Sequence, residues 1–139
     1  MTKQFDNKLV AVLNKSIEPG KVMNALAHMS IGFGSVIEQE PLELIEYVDM
    51  DNESHPFISK MPFMILRSNN SKIRNLRREA IVAGIKYVDF TDTMTVGTYQ
   101  DQLDRTKQTK EEDLIYFGIV LFGDWDKVSE LTGKFSLWK

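Results

Sequence analysis

The most apolar run of the sequence, LIYFGIVLF at residues 114–122, is the feature that most constrains the fold. It falls well short of a membrane-spanning helix, which needs roughly 18–20 apolar residues. A short, continuous apolar run of this kind is typical of a strand that is buried on both faces. We therefore predict that this run forms a central strand of a sheet.

Shorter apolar segments indicate further strands. They are predicted at residues 8–14, 61–67 and 85–90, and an edge strand is predicted at residues 135–138. Residues 42–50 alternate enough to suggest another strand, although a short helix is an open alternative there.

Segments of helical composition separate these strands. A helix is predicted at residues 21–33, and Gly32 and Gly34 are expected to end or loosen it. A surface helix is predicted within residues 98–112, and Asp124 is expected to cap a short helix. Alternating strands and helices indicate the α/β class, with right-handed crossovers wherever neighbouring strands are parallel.

The composition limits the chemistry that the chain can carry. Its 139 residues, 42% of them hydrophobic, are a common size for one domain, so we predict a single domain over residues 1–139. There is no cysteine, which excludes disulfides, thiolate metal ligands and a cysteine nucleophile. Only His28 and His55 are histidines, which excludes a three-histidine metal site. No metal, no cofactor and no membrane segment are expected, and a cytoplasmic location is predicted.

The stretch IEPGKVMNALAH, which ends at His28, is the first candidate site. Pro19 and Gly20 end the first strand, and Lys21, Asn24 and His28 follow at positions i, i+3 and i+7. This spacing places the three side chains on one stripe of a helix. A glycine, a lysine and the free N–H groups of a helix N-terminus together favour binding of phosphate or carboxylate. The alternative is a turn, a solvated lysine and a histidine that hydrogen-bonds the backbone.

The stretch DFTDTMTVGT, which begins at Asp89, is the second candidate site. Asp92 is a candidate catalytic carboxylate, and Thr93 and Thr95 are candidate substrate-binding hydroxyls. Ligands of open α/β sheets bind beyond the carboxyl ends of strands, so both candidate stretches are expected at the same edge of the sheet. The alternative is a surface turn, in which Asp, Thr and Gly are common.

A basic helix is predicted at residues 72–83, with Ser71 as its N-cap and Gly84 as its C-terminal stop. It carries side chains that are candidates for contacts with a nucleic-acid backbone: Lys72, Arg74, Arg77 and Arg78. A local basic face can hold phosphates even on a chain whose net charge is −3. The alternative is an ordinary solvated surface.

The order of these motifs resembles that of the type II peptidyl-tRNA hydrolases. GKVMNALAH is similar to the family's Gly-Lys turn and helix, KYVDFTDTMT to its strand that ends near aspartate and threonine, and IYFGIVLFGDWDKVSELTGKFSLW to its ending. The opening KLVAVLNKSIEPGKVMNALAHMSIGFG and the closing LTGKFSLW look like members of domain-of-unknown-function family two thousand, an uncharacterised relative. The resemblance implies a three-layer α/β/α sandwich on a mixed, mostly parallel sheet of about four strands.

Two functions are compatible with this resemblance. One is hydrolysis of peptidyl-tRNA or a related acyl ester, in which Lys21 binds a phosphate or the developing oxyanion and His28 or Asp92 activates water. The other is binding of a small anionic ligand, or an unidentified activity, on the same fold. The hydrolases have lysine before the glycine and glutamine four residues after the second lysine, where this chain has Pro19 and Ala25. These differences favour the small-ligand hypothesis.

The expected partners are therefore a small anionic ligand or tRNA. The hydrolase resemblance also implies a homodimer, with Trp125 and Trp138 as candidate interface residues. The alternative is that both tryptophans pack in the core, as large apolar side chains usually do.

Overall fold

The computed structural model describes residues 5–37 and 39–139, so residues 1–4 and 38 of the predicted domain lie outside the described part. The strands are β1 (Asn7–Asn14), β2 (Leu44–Val48), β3 (Ser54–Ser59), β4 (Phe63–Ser68), β5 (Lys86–Thr91), β6 (Tyr116–Asp124) and β7 (Ser136–Leu137). The helices are α1 (Pro19–Val36), the single turn α2 (Gln39–Leu42), α3 (Asn70–Ala83), α4 (Tyr99–Lys107) and α5 (Trp125–Thr132). Short 3₁₀ turns lie at Asp92–Met94 and Glu111–Asp113.

Five of the described strands form one mixed sheet in the order β5-β6-β1-β4-β7. Only β1 and β4 are a parallel pair, and the other three neighbouring pairs are antiparallel. The α/β class is confirmed, but the prediction of a mostly parallel sheet of about four strands is wrong. Strands β1, β4 and β5 do run in one direction, yet β6 lies between β5 and β1 in the opposite direction. The helix between β5 and β6, α4, buries none of its residues, so it does not cover the sheet as a crossover helix would.

Helices cover both faces of this sheet. Alternate residues of β1 contribute to two apolar clusters, because successive side chains of a strand point to opposite faces. Leu9, Ala11 and Leu13 pack with α1, whereas Val10 and Val12 pack with α3 and α5. The core therefore consists of two layers of side chains, one on each side of β1 and β6.

Helix α1 begins at Pro19 and continues to Val36, so Gly32 and Gly34 do not end it as predicted. Neither glycine adopts a positive φ, and the helix continues because Phe33 is buried against the sheet and Ile37 closes the last turn. The backbone N–H of Ile37 donates to the Phe33 carbonyl at 2.9 Å. Burial of this last turn outweighs the low helix propensity of the two glycines.

Helix α3 confirms the predicted basic helix and its stop at Gly84, which has a φ of +70°. That left-handed conformation is one that glycine adopts without steric cost. The N-cap is Asn69 rather than Ser71, because the Asn69 side chain accepts a hydrogen bond from the Lys72 N–H at 3.0 Å. Asp124 caps α5 as predicted, through a 3.1 Å bond from the Lys127 N–H.

Strands β2 and β3 form a separate antiparallel hairpin. The prediction of a strand within residues 42–50 is confirmed by β2, whereas β3 was not predicted. Most residues of both strands are exposed on both faces, so the alternation that marks a half-buried strand is absent from β3.

The prediction of a central strand at residues 114–122 is confirmed by β6, which is interrupted by one bulge. Phe90 pairs with Gly118 and Thr91 pairs with Tyr116, so Phe117 has no partner on β5. A bulge turns the extra side chain toward the face of its neighbour. Phe117 accordingly packs in the same cluster as α1, next to Gly118.

Replacing Gly118 by alanine is expected to destabilise the fold. A Cβ atom there would lie 2.7 Å from Leu13 Cδ2 and 3.2 Å from the Val12 carbonyl oxygen, which is backbone and cannot move aside. Overpacking of this kind costs about 1–3 kcal/mol of the free energy of unfolding. Urea denaturation followed by circular dichroism measures the change.

The matched control is Gly32→Ala in α1, where the nearest atom to an added Cβ is Val88 Cγ1 at 3.8 Å. That substitution is expected to leave stability unchanged or raise it by up to about 1 kcal/mol through helix propensity. Equal effects at both positions would contradict the close packing around β6.

Candidate functional site

A cleft with a volume of about 750 Å³ lies between the N-terminal half of α1, strand β5 and the segment that follows β5. Strands β1 and β5 point the same way, so the start of α1 and the end of β5 meet at one edge of the sheet. The sequence predicted this edge as the location of the site, from the rule for ligands of α/β sheets.

The polar wall of the cleft comes from α1. Lys21, Asn24 and His28 all line it, together with Gly20, so the predicted stripe on the helix is brought to one place. All three side chains are exposed, and none has a hydrogen bond or ion pair to another residue in the described part of the chain. Thr95, a predicted substrate-binding residue, also lines the cleft, but its hydroxyl donates to the Asp92 carbonyl at 2.7 Å. The polar groups of Lys21, Asn24 and His28 are therefore the ones free to contact a ligand.

The N-terminus of α1 offers fewer free N–H groups than predicted. The N–H groups of Lys21 and Val22 donate to the Glu18 carbonyl oxygen at 3.0 and 3.2 Å, and Pro19 has no N–H. The Lys21 ammonium is therefore the main positive group at this end of the cleft.

The floor of the cleft is apolar and aromatic. The His28 ring stacks on Phe90 with 6.0 Å between centroids, and Phe90 lies 5.7 Å from Phe117. Met29 of α1 completes this floor, and Phe117 reaches it because of the bulge in β6. Phe90 and Phe117 stood within predicted strands, but no sequence signal marked them as part of a site. Rings of this kind suit a ligand with an apolar or flat body.

Asp92 and Thr93 do not line the cleft, although the sequence placed them in the site. The Asp92 carboxylate accepts the Ile115 N–H at 3.0 Å, and the Asp92 N–H donates to the Ile115 carbonyl at 2.9 Å. Thr93 is buried, and its hydroxyl lies 2.8 Å from the hydroxyls of both Thr91 and Thr106. Both residues thus hold the segment after β5 in place.

That segment forms the outer wall of the cleft. The segment contributes Met94, Val96 and Gln102 to the lining of the cleft, and all three lie between β5 and the end of α4. Arg105 of α4 donates to the Val96 carbonyl at 2.7 Å and so fixes the position of this wall. Gln102 was missed by the sequence because a polar residue on a polar surface helix carries no distinguishing signal.

Asp89 also lies along the cleft, but it is inside β5 rather than after it, and its carboxylate lies toward α3 on the other face of the sheet. Its carboxylate accepts a hydrogen bond from Arg77 Nε at 3.1 Å. Burial raises the pKa of the Asp89 carboxyl, and the nearby Arg77 guanidinium offsets this only in part. Arg77 therefore reaches an internal acid of β5.

The basic side chains of α3 are largely paired with acids of the same chain. Arg74 Nε and Arg78 Nη2 donate to the Glu111 carboxylate at 3.0 and 2.6 Å, and the Tyr116 hydroxyl donates to it at 2.7 Å. Of the four residues predicted to contact nucleic acid, only Lys72 has no acidic partner within the described part. The positive charge that this helix offers to a phosphate backbone is smaller than the sequence indicates.

Other predicted features concern metals, membranes and the tryptophans. Within residues 5–37 and 39–139, no cluster of histidine and acidic residues could hold a metal ion. No described helix is long and apolar enough to cross a membrane.

Trp125 stacks on Phe5 with 6.4 Å between ring centroids, and Trp138 packs against the α1 side of the core. Both tryptophans are therefore half-buried.

The comparison with protein families matches residues 7–139 to the family described as "Protein of unknown function (DUF2000)". The chain belongs to the DUF2000 family. Membership confirms the resemblance to the uncharacterised family that the opening and closing motifs indicated. It assigns no activity to the DUF2000 chain.

A solved structure of another protein has the same fold as this DUF2000 chain. It is that of a protein of unknown function, Atu0240, from Agrobacterium tumefaciens str. C58. The TM-score is 0.83 at 16% sequence identity, over 98% of this chain and 100% of that chain. A likeness at this identity concerns the fold alone. The comparison with curated proteins gives no match.

Replacing Glu111 by glutamine is expected to destabilise the DUF2000 chain in a pH-dependent way. Burial raises the pKa of Glu111, but hydrogen bonds from Tyr116, Arg78 and Arg74 outweigh it and lower the pKa from 4.5 to about 2. The carboxylate therefore stabilises the fold above pH 4.5, and this contribution is lost as the pH falls from 4.5 toward 2.

We expect Glu111→Gln to lower the free energy of unfolding by about 1–2 kcal/mol at pH 7, a value reduced for partial exposure of the carboxylate. The difference from the unsubstituted chain should shrink as the pH approaches 2. Urea denaturation across this pH range measures it, with the exposed neighbour Glu112→Gln as the control. A constant difference at every pH would contradict the ionised network.

Proposed function

We propose that the cleft binds a small anionic ligand that carries an apolar group. The observation that supports this most directly is the contrast between the polar wall on α1 and the apolar floor. Lys21, Asn24 and His28 present polar groups that have no hydrogen-bond partner among the described residues, while Met29, Phe90 and Phe117 form an apolar floor. Such a combination of an apolar lining and a few polar groups is typical of small-molecule sites.

Lys21 supplies the charge that would hold the anion. Its side chain has no acidic partner in the described residues, so a ligand carboxylate or phosphate gains an ion pair without breaking an existing one. Because Lys21 is exposed, desolvation, side-chain ordering and screening by salt reduce the net contribution of such a pair to about 1 kcal/mol. Asn24 and His28 add hydrogen-bonding groups along the same wall.

Gly20 leaves room beside Lys21. An added Cβ at Gly20 would meet no atom within 4 Å, so a larger side chain would fit the free protein. The absence of one leaves the anion able to approach the helix backbone closely. The volume of about 750 Å³ lies within the range of ligand pockets and suits a molecule larger than inorganic phosphate.

The test uses three probes that separate charge from apolar contact: phenyl phosphate, inorganic phosphate and benzyl alcohol. Phenyl phosphate is expected to bind most tightly, because only it uses both Lys21 and the aromatic floor. Lys21→Ala should weaken its binding by about tenfold or more, and Lys21→Arg should retain most of it. Isothermal titration calorimetry measures the affinities.

The matched control is Lys107→Ala, an exposed lysine of α4 that does not line the cleft. It is expected to leave the affinity for phenyl phosphate unchanged. Equal losses of affinity in both lysine variants would point to nonspecific attraction. Equal affinities for all three probes would contradict a site that combines a polar wall with an apolar floor.

A second candidate function is hydrolysis of peptidyl-tRNA or a related acyl ester. What favours it is the shared cleft of Lys21 and His28, which would stabilise the oxyanion and deprotonate water. The position of Asp92 outside the cleft and the pairing of Arg74, Arg77 and Arg78 with acids weigh against it. Net charge of −3 also disfavours strong binding to a tRNA backbone.

Release of the acyl group from peptidyl-tRNA tests this alternative. The small-ligand proposal predicts no release above the uncatalysed rate. Release that is lost in both Lys21→Ala and His28→Ala would establish the hydrolase instead. Asp92→Asn then serves as a comparison, because a residue outside the cleft is expected to affect stability more than turnover.

A further inference from the structure

We propose that the opposite flank of α1 carries a second binding site, for an uncharged molecule with an apolar body such as an alkyl chain. A cavity of about 630 Å³ lies there, between α1, the β2–β3 hairpin and the face of the sheet. Ser30, Phe33 and Gly34 line it, and the helical repeat places them on the side of α1 away from Lys21, Asn24 and His28. The two sites share none of the residues that the structure describes.

The chemistry of the cavity walls selects an apolar occupant. Among the residues whose side chains the structure describes, which leave out 38–40, no charged side chain lines the cavity, and the only side-chain hydroxyls are those of Ser30 and Ser59. The Ser59 hydroxyl is already used, since it donates to the Leu42 carbonyl and accepts the Met61 N–H at 3.1 Å. A charged group placed here would lose its hydration without gaining a partner.

The cavity is deep on one side and open on the other. Its inner end is formed by three buried residues: Leu9 of β1, Val120 of β6 and Met61, which lies just before β4. Its outer wall includes Phe57 and Ile58 of β3, which are 63% and 57% exposed. A molecule in the cavity would contact both ends and remove this outer apolar surface from water.

Gly34 has no role in the fold that requires a glycine. Its φ is not positive, and an added Cβ would meet no atom within 4 Å. Alanine would favour the helix more, so neither backbone conformation nor packing explains the missing side chain. The space beside Gly34 belongs to the cavity, and a side chain there would reduce the room for an occupant.

The charges of the hairpin argue for a neutral small molecule rather than a second copy of this chain. The segment from residue 43 to residue 53 carries several acids and no lysine or arginine: Glu43, Glu46, Asp49, Asp51 and Glu53. Glu43 pairs with Lys60 and Asp49 contacts His55, but the other three acids have no basic partner among the described residues. Two hairpins facing each other would bring these like charges together, which opposes association. The same charges would repel an anionic amphiphile, whereas a neutral chain is unaffected.

The test titrates the whole chain with 1-octanol and follows the methyl signals of Leu44 and Ile58 by NMR. These signals are expected to shift and saturate with 1-octanol, and to respond less to octanoate because of the hairpin acids. Gly34→Leu should weaken octanol binding by about tenfold or more by occupying the cavity. Gly32→Ala, on the other flank of α1, should leave it unchanged.

Two further variants keep the outcome decisive. Phe57→Ala removes an exposed part of the wall, is not expected to impair folding, and should also weaken binding. Lys21→Ala should leave octanol binding unchanged, so this site and the anion cleft succeed or fail separately. Unchanged affinity in both Gly34→Leu and Phe57→Ala would overturn the proposal. So would shifts of the same methyl signals that depend on protein concentration alone, which would assign the surface to a second copy.

Discussion

The antiparallel insertion of β6 between β5 and β1 is the constraint on which the rest of the structure depends. Strand β6 is buried between β5 and β1, and Gly118 allows Leu13 and Met29 to pack directly against the backbone of β6. This insertion leaves β5 at the edge of the sheet, with α1 across β6 and β5 on one face. Phe117 of β6 packs beneath α1 and the end of this edge strand, where it forms part of the cleft floor.

Features of the fold that depend only on residues close together in the sequence could be predicted from it. The helix before Gly84, the cap at Asp124 and the apolar run that becomes β6 are local consequences of propensity, turn chemistry and burial. Strand order is not local, because β6 pairs with β1 across more than a hundred residues. The continuation of α1 through Gly32 and Gly34 also depends on distant packing partners of Phe33 and Ile37, which a helix-propensity argument cannot see.

The candidate site divides in the same way. Lys21, Asn24 and His28 could be placed together from helical periodicity alone, and the structure brings them to one wall. Phe117 joins the floor only because of a bulge, whose position depends on pairing with β5. Asp92 and Thr93 have residue types suited to a site, but their polar atoms are taken up by Ile115, Thr91 and Thr106. Which polar groups remain free is a property of the assembled fold.

Residues 92–115 form an excursion between β5 and β6 that carries α4. The reciprocal hydrogen bonds between Asp92 and Ile115 join its two ends. Because the chain leaves and re-enters the sheet at this closed point, the cleft-lining part of the excursion can change in sequence while β5 and β6 stay in register. Glu111, on the same excursion, is instead tied to Arg74 and Arg78 of α3. Met94, Val96 and Gln102 lie on the excursion, whereas Lys21 and His28 lie on α1. Substitutions in this wall would therefore reshape the cleft without altering the strands and the helix that support it.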